Sequence, residues 1–468
     1  PIVSDPKTRQ AEFEIRYIWV ALATAVFVGF VIGAHLAFVI GYDFSVGKGF
    51  YAFIQTHGHV QLVGWVGLFI IGISLHLIPR MASVPLSRPL WIPWILWLMA
   101  TGLLLRSIGH TVVPYLAGGA LFLPVSWLVV GSGLLEWAGI VMYGLLLIRT
   151  LGGIGNIHMQ PALMSVRPYF GMMLTGWFLY ESLNLILLVH MVVRRDVVLD
   201  TGWNEFAIEV FVSLVLLPVA LAFSVRMLPL YLTLRAPDWP VRGAGYAYLV
   251  CVILHVVPTA PVLSEIAPEP TRFLSSLGML MKGGVILWFV WQFDILIRRW
   301  EPWTAKWDLQ RNPDRRPTRP GLPDYGEFGP FERLVYAAYA WLVLAACFEV
   351  LDGAAIVLGL PPPVGTDSVR HMYLLGFITH LIFGISVRLI PGLLKKKCVA
   401  SPRLVEATLW LGGTAVVCRV VPLLIPTGVF EAIPASLVAA QSAFALSGII
   451  GLGAVLCLGI NLWQTARG

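Results

Sequence analysis

Stretches of about 20 apolar residues, the length a helix needs to cross a bilayer, recur along almost the whole chain, separated by short polar turns. The pattern predicts twelve spanning helices, at roughly 15–41, 50–79, 89–110, 121–149, 168–193, 205–233, 241–263, 271–298, 331–358, 367–393, 402–425 and 431–463. One of these carries a design that is used again. Thr56 to Arg80 reads THGHVQLVGWVGLFIIGISLHLIPR, and 371–391 reads HMYLLGFITHLIFGISVRLIP. With His59 set on His371, Gly64 falls on Gly376, Gly72 on Gly384, Ile73-Ser74 on Ile385-Ser386 and Leu77-Ile78-Pro79 on Leu389-Ile390-Pro391. A weaker third copy runs from Glu209 to Pro229 and ends Phe-Ser-Val-Arg-Met-Leu-Pro. His59, Glu209 and His371 are therefore equivalent, each 20 residues before its proline. The motif falls on the second, sixth and tenth spans, which predicts an all-α membrane protein of three pseudo-repeated four-helix arcs. Pro79, Pro229 and Pro391 are expected to end their spans, where a missing backbone donor does least harm.

Composition agrees. The 468 residues are 58% hydrophobic and only 12% charged, with mean hydropathy +0.81, whereas soluble domains have about a quarter of their residues charged. A soluble helical protein would lack the polar residues to cover its surface, so the lipid bilayer is the expected surrounding. The net charge of +7 is read by position. Bases gather after even spans (Arg80 and Arg88, Arg149 and Arg167, Arg235 and Arg242, Arg298 and Arg299, Lys395 to Lys397 with Arg403). Loops after odd spans hold more acids, among them Asp196, Asp200, Glu265, Glu269, Asp367 and Glu431. The positive-inside rule then puts both termini in the cytoplasm, as in a multi-pass protein of a bacterial inner membrane. Arg194-Arg195 is the exception. Bases confined to short loops give no support to nucleic-acid binding. The five cysteines form no CxxC pair and no site for covalent haem. Residues 1–14 are polar and lead straight into a span, with no cleavable signal in view. The one long polar linker, 299–330, is rich in proline and mixed charge. It separates spans 1–8 (residues 1–298) from spans 9–12 (residues 331–468).

Histidine supplies the candidate chemistry. In that topology His57, His59 and His371 lie near the outer ends of spans two and ten. Two facing imidazoles fill both axial positions of a low-spin haem, which then carries electrons rather than a substrate. Glycines such as Gly64, Gly67, Gly72, Gly376 and Gly384 leave room for a flat macrocycle between helices. A single histidine in a span would more simply be a satisfied polar group; two at equivalent repeat positions favour a ligand pair, with one b-type haem as cofactor. His380 is mid-span but has no counterpart in the other copies, while His35, His110, His190, His255 and His158 read as ordinary polar groups. The His57-x-His59 pair is where copper would bind, and the motif is too short to carry that claim alone. His76, Arg226 and Arg388 stand one per copy, three residues before the proline, and read as snorkelling groups. Arg106 and Arg419, late in spans three and eleven, are deep enough to need an anionic partner and are placed to pair with haem propionates. Glu136, Glu181, Glu209, Lys282, Asp294 and Glu349 are further charges in or near spans, readable either as cross-helix ion pairs or as a proton route.

Three four-helix arcs with motifs on helices two, six and ten resemble the catalytic subunit of haem-copper oxidases and nitric oxide reductases, above all the C-type and nitric-oxide-reductase branches. The resemblance implies a low-spin haem held by a histidine of the second helix and one of the tenth. His371 takes the tenth-helix position by its distances to Gly376, Gly384 and Pro391; His57 or His59 suits the second, and the internal repeat prefers His59. The departures matter. Val369 stands where the high-spin haem ligand is expected, Glu209 stands at the sixth-helix metal ligand, and 241–263 offers only His255. A binuclear centre needs those nitrogens, so oxygen or nitric oxide reduction in the usual manner is not expected. The same layout is also similar to the NnrS family of twelve-span haem and copper proteins of the nitric oxide response, which Arg106 and Arg419 suit as well.

The expectation is therefore a haem b-binding electron-transfer or anchor subunit of a respiratory complex. It would work with other membrane subunits and with a periplasmic cytochrome c or copper protein as donor. An NnrS-like haem protein and a cofactor-free structural subunit are the alternatives. A transporter is disfavoured by threefold rather than inverted repetition.

Overall fold

The computed structural model of the chain describes residues 12–154, 161–299 and 325–468. The middle of the polar linker, 300–324, and His158 lie outside the described residues. Twelve helices are long and apolar enough to cross a membrane, and among the described residues there is no strand. We number them α1 (Arg16–Gly41), α2 (Phe50–Met81), α3 (Trp91–Leu116), α4 (Phe122–Gly152), α5 (Leu163–Arg194), α6 (Thr201–Leu232), α7 (Val241–Thr259), α8 (Pro268–Phe293), α9 (Phe331–Val357), α10 (Thr366–Leu393), α11 (Pro402–Leu424) and α12 (Pro434–Arg467). This is a multi-pass membrane protein.

Several helix ends lie a few residues from those the hydropathy pattern gives. Helix α3 continues past Pro114 to Leu116, and α8 stops at Phe293 because Asp294 turns into the left-handed region (φ 54°) and caps it. The three motif prolines also lie inside helices, which run on to Met81, Leu232 and Leu393. In the last turn a proline forfeits a single backbone bond, and the side chain of Arg80 donates to the His76 carbonyl there (2.8 Å).

The motif spans share a backbone feature that hydropathy does not report. Each widens into a π-helical turn just after its repeat position: Val60–Gly67 after His59, Val212–Leu216 after Glu209, and Met372–Thr379 after His371. A fourth such turn, Ala25–Gly29, lies in α1. A π turn moves the backbone acceptor to five residues back and re-aims the side chains around it. Thr379 Oγ1 and His380 Nδ1 take the carbonyls of Leu374 (2.8 Å) and Leu375 (2.9 Å), each five residues earlier.

The chain divides into two compact units. The first runs to Leu36, resumes over Phe44–Val219 and adds Thr259–Ile266; the second takes the remaining described residues. One division between them falls inside α6. Helices α2 and α10 are the most enclosed in their units, with 83% of the apolar stretch buried against 28–67% for the other spans. Small residues allow that enclosure. In the first unit a Cβ on Gly72 would lie 2.6 Å from Tyr17 Cβ, and one on Gly67 would lie 2.7 Å from Trp177 Cη2. In the second, a Cβ on Gly376 would lie 2.8 Å from Trp341, and one on Gly384 would meet Val335 at 2.8 Å. Gly171 of α5, by contrast, has nothing within 4 Å of its would-be Cβ. We therefore expect Gly72→Val to cost about 1–3 kcal/mol by overpacking, lowering the thermal midpoint of the detergent-solubilised protein, and Gly171→Ala to leave it unchanged.

Candidate functional site

In the first unit, the two histidines of α2 hold different partners. The ring of His57 donates from Nδ1 to the carbonyl of Gly29 in α1 at 2.8 Å. With Nδ1 carrying the proton, the lone pair of the neutral ring sits on Nε2, the tautomer that a metal-ligating histidine uses. Gly33, one turn beyond Gly29, makes room for it, since a Cβ there would fall 2.5 Å from His57 Cε1. The spacing Gly29-x-x-x-Gly33 was present in the sequence, yet only packing shows that it serves His57.

His59 is buried and has both nitrogens engaged. Its Nε2 lies 2.7 Å from Glu136 Oε2 of α4, and its Nδ1 lies 3.0 Å from the Tyr180 hydroxyl of α5. The Tyr180 ring stacks alongside, 6.1 Å between centroids at 17°. Iron could reach this ring only by displacing one of those partners. Gly102 of α3 is what admits Glu136, because a Cβ there would lie 2.5 Å from Glu136 Cγ.

Around this pair lies a wholly buried polar cluster drawn from α2 to α5. Arg106 (1% exposed) lies within electrostatic reach of Glu136, Tyr180 and Glu181, and His110 within reach of Arg106 and His59. The carboxylates that Arg106 was expected to need are therefore supplied by the protein. Tyr180 was not anticipated, and His110 had been read as an ordinary polar group; a tyrosine and two acids in mid-span were the signal available.

In the second unit, His371 repeats the arrangement of His57. Its Nδ1 lies 2.8 Å from the carbonyl of Asp367, one turn earlier, and 3.2 Å from the Asp367 carboxylate. Arg419 of α11 completes the group: its Nη2 donates to Asp367 Oδ2 at 3.2 Å, and its guanidinium lies over Phe444 of α12 at 4.2 Å. Asp367 thus ties two sequence-singled residues together, having itself been read only as a loop acid. Val369, two residues before His371, is buried.

The other candidates have local roles. His380 is buried beside Gly412 of α11, and Glu209 accepts from Ser213 one turn later (2.7 Å). His255 is close to the carbonyl and hydroxyl of Ser275 (3.1 and 3.2 Å). Lys282 of α8 pairs with Glu349 of α9 at 2.9 Å, and Tyr373 of α10 donates to the same carboxylate at 2.8 Å. Arg388 lies over the rings of Tyr231 (4.9 Å) and Phe328 (4.4 Å), a cation–π contact in place of free snorkelling. Among the described residues, no three His, Cys, Asp or Glu side chains come together as a metal-binding group.

No family model matches the chain, and no curated protein matches it. Among solved structures, a heme-copper terminal oxidase determined by cryo-EM as a dimer is similar, with TM-score 0.60 and 13% sequence identity over 97% of this chain and 84% of that one. At that identity the likeness is one of fold. The chain shares the membrane fold of a heme-copper oxidase.

The His59 network carries its own expectation. Tyr180→Phe leaves Nδ1 of a buried imidazole without a partner, which costs about 1–3 kcal/mol. The thermal midpoint should fall accordingly, whereas Tyr51→Phe, at a 63% exposed ring, should leave it in place.

Proposed function

We propose that the chain is a b-type haem-binding electron-transfer or anchor subunit of a respiratory oxidoreductase complex, with His57 and His371 as the iron ligands. The observation that supports this most is the shared state of the two rings. Each commits Nδ1 to a backbone carbonyl, Gly29 or Asp367, which puts the lone pair of the neutral ring on Nε2. His59, which the repeat favours, could bind iron only by giving up Glu136 or Tyr180, and this reading takes His57 because a backbone carbonyl holds its ring in the ligating tautomer.

When bound, a bis-imidazole haem supplies a one-electron redox centre. The chain's own residues do the rest. Gly29 fixes the tautomer of His57, and Gly33 gives the ring its space. Asp367 orients His371 and, as a carboxylate within reach of Nδ1–H, makes that imidazole the stronger ligand. Arg419 holds Asp367 and keeps a buried Nε with no hydrogen-bond partner, a donor suited to a haem propionate. Arg106, surrounded by Glu136, Tyr180 and Glu181, is assigned to the polar cluster instead.

Val369 and Glu209 occupy positions where the resemblance calls for histidine, so this reading assigns electron transfer, not oxygen or nitric oxide reduction. An NnrS-like copper site would need His57 and His59 at one metal, and their separate partners speak against it. The reading includes a bacterial inner membrane with cytoplasmic termini, other membrane subunits, and a periplasmic cytochrome c or copper protein as donor.

Purified protein should give a reduced-minus-oxidised b-haem spectrum and about one haem per chain by the pyridine assay. His57→Ala, His371→Ala and Gly33→Leu should each remove the band, and His59→Gln should retain it. A well-folded chain without haem would leave only the cofactor-free structural role. A band lost with His59 and kept without His57 would reverse the ligand assignment.

A further inference from the structure

The buried cluster of α2 to α5 has more to do than position His59. We infer that it is a proton-holding site, in which Glu181 carries one exchangeable proton as a neutral carboxylic acid. This is independent of the haem reading, since it uses neither His57 nor His371.

The first ground is charge. The groups that face one another are His59 from α2, Arg106 and His110 from α3, Glu136 from α4, and Tyr180 and Glu181 from α5. There are two carboxyl groups and one guanidinium. With both acids ionised and the imidazoles neutral, the cluster carries one uncompensated negative charge where every member is at most 4% exposed. Arg106 lies ten residues before the end of α3 and Glu181 thirteen before the end of α5, so solvent at the helix ends is far away. A charge left unpaired at such depth is strongly unfavourable, and binding a proton removes it.

The second ground is hydrogen bonding, and it selects Glu181. Glu136 already has a hydrogen-bond partner in His59 Nε2, at 2.7 Å. Neither oxygen of Glu181 accepts a hydrogen bond of ordinary geometry, with Asn184, one turn on, standing beside it. Arg106 therefore does not bond to Glu181, and its own Nε and Nη1, like both nitrogens of His110, have no hydrogen-bond partner. Such a set of buried donors and acceptors is suited to holding internal water, through which a proton can pass. Binding forms an O–H bond on the Glu181 carboxylate from a proton delivered by water; release returns it to water, and no electron moves. His110 lies four residues nearer the Leu116 end of α3 than Arg106.

The test is infrared spectroscopy of the full chain in lipid nanodiscs while the bathing pH is stepped. Wild type should show a protonated-carboxyl C=O band, absent from Glu181→Gln and present in Glu209→Gln, that weakens as pH rises. Charge balance adds a second expectation. Arg106→Gln removes the cation and should increase the protonated carboxyls from one to about two per chain, whereas Arg106→Lys should leave one. If Glu181→Gln fails to assemble, Glu181→Asp should move the band without abolishing it. Three results would overturn the proposal: identical carboxyl bands in wild type and the Glu181 variant, a band that follows sodium at fixed pH, or a titrating imidazole signal with none from a carboxyl.

Discussion

An imidazole has two nitrogens, and whatever holds one decides what the other is free to do. That constraint separates two histidines only two residues apart. The side chain of His57 is met by a backbone carbonyl, an acceptor that can take only the N–H, so the ring is left in the tautomer a metal requires. His59 meets an acid on one side and a phenol on the other, and its bonding is complete inside the protein. His371 sides with His57 despite sharing its repeat position with His59. Sequence equivalence and chemical equivalence part company here, because a repeat preserves the helix while its neighbours decide each ring's partners.

The repeat is nevertheless physical, and its clearest trace is in the backbone. Three spans open into a π turn within three residues of the repeat residue, although that residue is histidine twice and glutamate once. A π turn spoils the local ladder and needs something to offset it. In α10 that offset is visible, with Thr379 and His380 reaching back to carbonyls. Two of the three turns belong to the most enclosed spans, where a wider helix with glycines on its faces can meet close neighbours on several sides.

Much of this was legible in the sequence, for definite reasons. Apolar length is set by the bilayer, so the twelve spans and their approximate ends could be counted. Arg106 and Arg419 could be marked as needing anions because a guanidinium does not lose its charge. Which anions they meet was not legible: Asp367 serves Arg419 from 52 residues away, and Glu136 and Glu181 reach Arg106 from other helices. What His57 and His59 each meet was equally hidden, since it depends on which face of α2 packs on Gly29 and Gly33. Nor does hydropathy carry any signal of π turns, or of a domain division inside α6. Proline was over-read: as a helix-ender it is correct to within a turn, and these helices use that turn.

The two units also show opposite ways of keeping charge inside a membrane. In the second, Lys282 pairs directly with Glu349, Tyr373 adds a hydrogen bond to the same carboxylate, and the neighbouring Asp352 accepts from the Val364 backbone N–H. Removing either charge of such a pair strands the other. In the first, two acids share one arginine, and the imbalance must be met by something mobile. A proton is the smallest such partner, and it needs no cavity of its own. The contrast assigns the α8–α10 group to holding helices together and the α2–α5 cluster to exchange, because the acids of the first have direct partners and Glu181 does not.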